Sequence, residues 1–161
     1  MKTPVGEYRE QGRALVADED DGERGLLTML LHAHGYEAEG VASGEAALTL
    51  LEGHSFDLVL LDAELLGSRS ELELLAAARQ LAPDARFVML AAFATVDMAL
   101  AAMTHGACDY LRKPLHADEL LRVITRTPAE LRERAEQTAR RASAAGATAA
   151  APSVEARSTL H

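Results

Sequence analysis

The run Asp57–Leu61, with the sequence DLVLL, constrains the fold more than any other part of the chain. Its apolar residues are consecutive, whereas a strand with one face in water alternates apolar and polar residues. A short run of this kind is typical of a strand that is buried on both faces, as in a parallel sheet with helices on each side. We therefore expect an α/β fold.

Short apolar runs alternate with helical patterns along the rest of the chain. The other predicted strands are Ala14–Ala17, Tyr36–Ala42, Arg86–Leu90 and Asp109–Leu111. Leucine and alanine recur at helical spacing in the predicted helices, which contain Leu26–Leu31, Ala46–Leu51, Leu72–Leu81, Val96–Met103 and Glu119–Ile124. Ser43 and His116 are placed to cap helices, and Gly35 and Gly106 are placed to end them. Five βα units in this order predict a doubly wound parallel sheet with helices on both faces.

The two ends of the chain differ in character from this central region. We expect four parts, namely an N-terminal extension at 1–12, one domain at 13–127, a charged helix or linker at 128–143 and a disordered tail at 144–161. Pro128 and Glu130 mark the start of the charged helix. The tail is mostly Ala, Ser, Thr, Gly and Pro, which cannot bury enough apolar surface to offset its ordering entropy. The chain is then either a stand-alone domain or a fragment of a longer regulator.

The composition argues against several classes of function. The formal net charge is −9, so the chain lacks the clustered cations that bind nucleic acid directly. The N-terminus has no signal-peptide pattern, and no apolar run approaches the length of a membrane span. The single cysteine, Cys108, excludes an internal disulfide and fits a reducing compartment. We expect a cytoplasmic protein with no direct nucleic-acid partner and no membrane.

Charged residues follow three of the predicted strands. The first strand ends at Asp18–Asp21, the third at Asp62, and the fifth just before Lys113. Because ligands of doubly wound sheets bind beyond the carboxyl ends of the strands, these groups should meet at one edge. Several carboxylates in one crevice repel each other unless a cation binds, and their hard oxygens suit Mg²⁺. A carboxylate beside Mg²⁺ and a lysine is equipped for phosphoryl transfer, with the aspartate attacking phosphorus.

Three motifs fall in order at the ends of the expected strands: LVADED at 15–20, DLVLLD at 57–62 and GACDYLRKP at 106–114. With this order and spacing, the region from Arg13 to Arg126 resembles the receiver domain of two-component response regulators. The resemblance implies a flavodoxin-like sheet in the strand order 2-1-3-4-5. It also implies a phosphoacceptor signalling domain and not an enzyme with a separate substrate.

The resemblance further implies the partners of such a domain. A sensor histidine kinase or a phosphotransfer protein would supply the phosphoryl group. A downstream protein target would bind the face formed by the fourth helix, fifth strand and fifth helix. Whether two copies form a homodimer, and which kinase and target are cognate, the sequence leaves open.

The resemblance assigns roles around the acidic edge. Asp62 matches the phosphoacceptor, and Lys113 matches the lysine that contacts the phosphoryl oxygens. Mg²⁺ or Mn²⁺ would be held by Asp18, Glu19, Asp62 and the backbone carbonyl of Glu64.

The switch residues match the family pattern only in part. The backbone N–H of Ala92 would reach a phosphoryl oxygen, and Pro114 matches a proline commonly preceded by a cis bond. Tyr110 matches an aromatic that changes rotamer on activation, although its ring could instead simply pack with its hydroxyl in water. Ala91 stands where the family usually has Thr or Ser, and the loss of that hydroxyl costs on the order of 1.5–3 kcal/mol.

Two other hypotheses stay open at this point. The first is a pseudo-receiver that signals through protein contacts without phosphorylation. It is favoured by Ala91, by Leu66 where proline is usual and by Ser70 where glycine is usual, and it is opposed by the intact charged residues. The second is an aspartate-nucleophile phosphatase on a similar sheet. That class has its nucleophile after the first strand and an aspartate two residues later, whereas here Asp62 follows the third strand and Glu64 comes two residues on.

Overall fold

The computed structural model describes residues 12–65 and 69–125, together with 136, 137 and 140. Residues 1–11 of the predicted N-terminal extension lie outside these residues. Leu66 and the predicted tail at 144–161 also lie outside them. Of the charged helix predicted at 128–143, only Glu136, Gln137 and Arg140 are described, and these three are helical.

Five strands and five helices alternate along the described part of the chain. They are β1 (Gly12–Ala17), α1 (Asp21–Ala33), β2 (Tyr36–Val41), α2 (Gly44–Gly53), β3 (Leu58–Asp62), α3 (Glu71–Leu81), β4 (Arg86–Ala91), α4 (Val96–Thr104), β5 (Asp109–Arg112) and α5 (Ala117–Ile124). Every strand and helix predicted between residues 14 and 124 is present, with boundaries that differ by one or two residues for the strands. β3 begins and ends one residue later than predicted, so Asp62 is its last residue.

All strand pairs are parallel, and the sheet has the order β2-β1-β3-β4-β5. This is the order that the family resemblance implies. The central strand β3 is buried along its whole length, which is why its apolar residues run without alternation. Within the described ranges, no helix has the length and apolar character needed to cross a bilayer.

The two faces of the sheet form two separate apolar cores. One core packs under α2, α3 and α4 and includes Leu15, Val59 and Phe87. The other packs under α1 and α5 and includes their sequence neighbours Val16, Leu60 and Val88. Successive strand residues point to opposite faces, so each inner strand contributes to both cores. Burial of each such side chain stabilises the fold by about 1.5–3 kcal/mol.

Helix caps fix where the helices begin and end. Ser43 caps α2 by accepting a hydrogen bond from the N–H of Ala46, as predicted. Gly35 has a φ of 90°, a backbone conformation that favours glycine, and it follows the last turn of α1. His116 lies at the N-cap of α5, but its side chain makes no capping hydrogen bond. Ser43 therefore fixes the loop at the carboxyl end of β2, and Gly35 fixes the turn at its amino end.

Candidate functional site

One ammonium group gathers three carboxylates at the carboxyl ends of β1, β3 and β5. Lys113 Nζ lies 3.1 Å from Asp18 Oδ2 and 3.2 Å from Asp62 Oδ2. It also lies 3.0 Å from Glu23 Oε2. The Asp18 and Asp62 residues are only 0% and 5% exposed, respectively. The structure thus brings together Asp18, Asp62 and Lys113, which the sequence placed at the ends of three different strands.

Backbone hydrogen bonds orient the two aspartates toward the lysine. Asp18 directly follows β1, and its Oδ1 accepts a hydrogen bond from the N–H of Asp20. Asp62 ends β3, and its Oδ1 accepts a hydrogen bond from the N–H of Glu64. Each aspartate therefore has one oxygen held by the turn that follows its strand. The second oxygen, Oδ2, is left to face Lys113.

The charges at this edge do not balance. Partial burial alone would lower the pKa of Lys113, but the hydrogen bonds that it donates to Glu23 and Asp18 and the charge of Asp62 raise it above its ordinary value. The lysine is therefore firmly protonated, yet three carboxylates share its single positive charge. An excess of buried negative charge is the condition under which a further cation binds.

Glu23 is the member of this cluster that the sequence analysis missed. It is the third residue of α1, where a glutamate usually reaches back to the N-cap N–H. Here Asp18 already accepts from that N–H, on Asp20, and the Glu23 carboxylate turns to Lys113 instead. Burial and, to a smaller extent, the nearby Asp18 raise the pKa of Glu23, although Lys113 acts in the opposite direction. A glutamate in the first turn after an acidic strand end was the available signal.

The donor set fits a hard divalent cation in its chemistry. Asp18 and Asp62 offer carboxylate oxygens, which Mg²⁺ prefers. Glu19 is exposed at the same edge and, within the described ranges, makes no ion pair. No group of three or more Asp, Glu, His or Cys side chains among the described residues is already arranged around a metal position. The carboxylates converge on the Lys113 ammonium, so a metal ion would have to compete with that ammonium for them.

The side chain of Glu64 contacts the loop after β4. Its Oε1 lies 3.0 Å from the backbone nitrogen of Ala92 and 3.3 Å from that of Phe93. Its Oε2 lies 3.1 Å from the nitrogen of Ala92. Partial burial alone would raise the pKa of Glu64, but these N–H donors together with Asp62 and Lys113 lower it. From the sequence, Glu64 has a predicted role only through its backbone carbonyl, and this contact of its carboxylate was not predicted.

The predicted switch residues lie beside the site on β4 and β5. Ala91 ends β4 and is fully buried, so no side-chain hydroxyl is present there. The Tyr110 ring packs against the core under α2, α3 and α4. Its hydroxyl is shielded from solvent and therefore does not lie in water. The Oε1 atom of its neighbour Glu71 is shielded as well. Burial, followed by the charge of Glu71, raises the pKa of Tyr110.

Pro114 and Ser70, which the family resemblance singled out as a match and a departure, lie in the loops that follow β5 and β3. The peptide bond between Lys113 and Pro114 is cis, as the family resemblance implies. Ser70 is the N-cap of α3 and accepts a hydrogen bond from the N–H of Glu73. A serine in place of the usual glycine therefore has a structural role in starting that helix.

Comparison with known proteins gives a family, several curated relatives and several solved structures. The model of the response regulator receiver domain family matches residues 14–125. The alginate biosynthesis transcriptional regulatory protein AlgB of Pseudomonas putida is 37% identical over 123 residues, which is 76% of this chain and 27% of that protein. The chain thus spans about a quarter of the length of the curated relatives that it matches.

Two solved structures of receiver proteins share the fold. A response regulator receiver domain protein from Methanospirillum hungatei JF-1 has a TM-score of 0.67 and 28% identity, with coverage of 78% of this chain and 98% of its own. A response regulator from Burkholderia pseudomallei, solved with a phosphorylated aspartic acid, a calcium ion and citrate, has a TM-score of 0.66 and 30% identity, with coverage of 76% and 71%. The chain belongs to the response regulator receiver domain family.

Proposed function

We propose that Asp62 accepts a phosphoryl group from the phosphohistidine of a sensor histidine kinase or a phosphotransfer protein, in a cytoplasmic, Mg²⁺-dependent reaction. The observation that carries this proposal is the convergence of Asp62 Oδ2 and Asp18 Oδ2 on Lys113 Nζ at 3.2 and 3.1 Å. A nucleophilic carboxylate with a fixed ammonium and a second acidic group beside it is the equipment for phosphoryl transfer.

The chain's own residues supply position and charge for this transfer. An Asp62 oxygen attacks phosphorus, the new O–P bond forms as the N–P bond to the donor imidazole breaks, and the imidazole leaves with the electron pair. Lys113 neutralises charge on the transferring oxygens. Electrostatic stabilisation of this kind is usually the largest single contribution to lowering the barrier of such a reaction. The N–H of Glu64, on Asp62 Oδ1, keeps the carboxylate from rotating.

A divalent metal completes the proposed site. Asp18, Glu19, Asp62 and the backbone carbonyl of Glu64 would hold Mg²⁺ or Mn²⁺, which when bound neutralises charge on the phosphoryl oxygens. The calcium ion in the related Burkholderia structure supports a cation at such a site.

The output is proposed to be a change in affinity for a protein target on the face formed by α4, β5 and α5. The curated relatives are named as transcriptional regulators, which favours an output in transcription. Direct contact with nucleic acid would then belong to other parts of a longer protein, because the receiver residues are strongly acidic. The domain itself is proposed as a phosphoacceptor and not as an enzyme.

Incubation with acetyl phosphate and Mg²⁺, followed by intact-mass measurement, tests the proposal. We expect a gain of one phosphoryl group that disappears in Asp62→Ala and on addition of a chelator. A matched control is Asp57→Ala, which removes the aspartate directly before β3, at the opposite edge of the sheet, and should leave the gain intact. No gain with acetyl phosphate or with a phosphorylated kinase would overturn the phosphoacceptor function.

A pseudo-receiver that signals without phosphorylation is the second candidate function. Two observations favour it: Ala91 provides no hydroxyl, and the N–H of Ala92 already has a carboxylate partner. Under this alternative, target binding would be the same for the untreated protein, the acetyl phosphate-treated protein and Asp62→Ala.

A further inference from the structure

The loop after β4 holds an anion that belongs to the chain itself. Both oxygens of the Glu64 carboxylate lie within 3.1 Å of the Ala92 nitrogen, and one lies 3.3 Å from the Phe93 nitrogen. Two consecutive backbone N–H groups that point at one carboxylate form an oxyanion site. With Ala91 in place of a hydroxyl residue, these N–H groups are the donors that the end of β4 offers to an anion.

Glu64 is placed to reach this site because of the turn that follows β3. Its own N–H is held by Asp62 Oδ1, so the residue begins beside the proposed phosphoacceptor. From there its partly buried side chain reaches the loop that follows the neighbouring strand β4. Glu64 therefore links the proposed phosphoacceptor, through its backbone N–H, to the amides of the β4–α4 loop, through its carboxylate.

A phosphoryl oxygen and a carboxylate oxygen make the same demand on a backbone N–H, since each is a negatively charged acceptor. One N–H cannot satisfy both at full strength. Whichever anion accepts hydrogen bonds from the N–H groups of Ala92 and Phe93 excludes the other, and two negative charges held side by side would also repel each other.

We propose that the Glu64 carboxylate occupies the phosphoryl-oxygen site of the unphosphorylated protein and must leave it before the phosphoryl group can be stabilised there. Glu64 is then a built-in gate that slows phosphorylation and is displaced by it. This inference rests on the proposed function of Asp62 as phosphoacceptor.

Side-chain length separates occupation from charge in a matched pair of variants. Glu64→Asp keeps the negative charge but shortens the side chain by one methylene, so it cannot reach both amides. Glu64→Ala removes charge and reach together. If occupation sets the rate, both variants should gain the phosphoryl group from acetyl phosphate and Mg²⁺ roughly tenfold faster than the unaltered protein, as expected when a charge-assisted hydrogen bond no longer has to be broken.

Equal rates for the unaltered protein and both variants would overturn the gate while leaving the phosphoacceptor function standing. A fast Glu64→Ala with an unchanged Glu64→Asp would also overturn it, because charge alone would then explain the rate. No phosphoryl gain at Asp62 in any of the three proteins would overturn both the proposed function and the gate that depends on it.

Hydrogen exchange gives a readout that does not depend on phosphorylation. In the untreated protein, the amide protons of Ala92 and Phe93 should exchange slowly, and both Glu64 variants should speed that exchange by roughly tenfold. The amide of Cys108, which donates to the Phe87 carbonyl, serves as an internal control that should not change. Fast exchange at Ala92 in the unaltered protein would overturn the occupation itself.

Discussion

The two edges of the sheet both carry charged side chains, but they use them differently. At the amino-terminal edge, Asp57 accepts a hydrogen bond from the N–H of Arg13, whose guanidinium pairs with Glu39 at 3.0 Å. The Arg86 side chain donates to the Asp57 carbonyl and to the Tyr36 hydroxyl. These charged side chains contact an opposite charge or a polar group of another strand, so their role is to hold the strands together.

The carboxyl-terminal edge instead concentrates like charges. Three carboxylates meet at Lys113, and a fourth, on Glu64, occupies two backbone amides. Such an arrangement costs stability, because buried carboxylates repel each other and lose hydration. A fold that needed only stability would not accumulate them. The contrast between the edges indicates that the carboxyl-terminal edge is kept for binding and chemistry.

Replacing one cation at each edge by methionine tests this contrast and has the largest expected effect. Lys113→Met should lower the free energy of unfolding at neutral pH by about 3 kcal/mol, because it leaves buried carboxylates without a cation. Arg13→Met should cost only about 1 kcal/mol, since its partner Glu39 is 41% exposed. Urea unfolding without Mg²⁺ measures both. Equal losses would contradict the proposed difference between the edges.

Tyr36 tests the structural role of the amino-terminal edge. Its hydroxyl is buried, donates to the Ile124 carbonyl at 2.8 Å and accepts from Arg86. Tyr36→Phe should therefore lower the free energy of unfolding by about 1 kcal/mol. The rate of phosphoryl gain at Asp62 should stay the same. A change in that rate without a change in stability would show that this edge is coupled to the site.

Glu23 tests the excess charge of the carboxyl-terminal edge. Glu23→Gln removes one of the three carboxylates on Lys113. The ammonium should then stay more firmly on Asp18 and Asp62, and the edge should attract cations less. We expect the Mg²⁺ concentration for half-maximal phosphorylation to rise roughly threefold. The exposed Glu52→Gln is the matched control, and an equal shift in both variants would assign the effect to net charge alone.

Cys108 gives the smallest expected effect and tests whether burial outweighs nearby cations at the amino-terminal edge. Burial raises the pKa of this thiol above its usual value of 9.0, although a backbone hydrogen bond and the charges of Arg86 and Arg79 act in the opposite direction. The folded protein therefore holds less reactive thiolate at pH 8, and any stabilisation from this shift is present below pH 9.0 and is lost as the pH rises through the raised pKa.

The rate of alkylation by iodoacetamide as a function of pH measures this shift. Its midpoint should lie above pH 9.0 in the folded protein and near that value after unfolding in guanidinium. A midpoint below pH 9.0 in the folded protein would mean that the two arginines dominate over burial.

Periodicity predicted the fold well because burial of strands and helices leaves a direct mark on the sequence. The uninterrupted apolar run of β3 identified the parallel sheet, and the strand ends placed Asp18, Asp62 and Lys113 at one edge. The strand order came from the family resemblance and not from the periodicity. These successes depend on backbone position alone.

Side-chain direction in the turns could not be predicted in the same way. Glu23 contacts Lys113 only because Asp18 already accepts from the N–H that a first-turn glutamate would otherwise reach. Glu64 reaches the amides of a loop 28 residues further along the chain. Whether the Tyr110 hydroxyl would be in water was likewise left open, since its neighbour Glu71, at the start of α3, is distant from it in the sequence. Such contacts depend on three-dimensional proximity that no sequence spacing records.

The central claim is that Asp62 is the phosphoacceptor, and chemical trapping tests it most directly. The protein is treated with acetyl phosphate and Mg²⁺ and then reduced with borohydride, which converts an aspartyl phosphate to homoserine. Peptide mass mapping then locates the modified residue. We predict homoserine at position 62 and nowhere else among the acidic residues at this edge. Homoserine at Asp18, 5-hydroxynorvaline (the corresponding reduction product of a glutamyl phosphate) at Glu23, or no reduced residue at any position, in a protein whose untreated peptides are fully covered, would contradict the account.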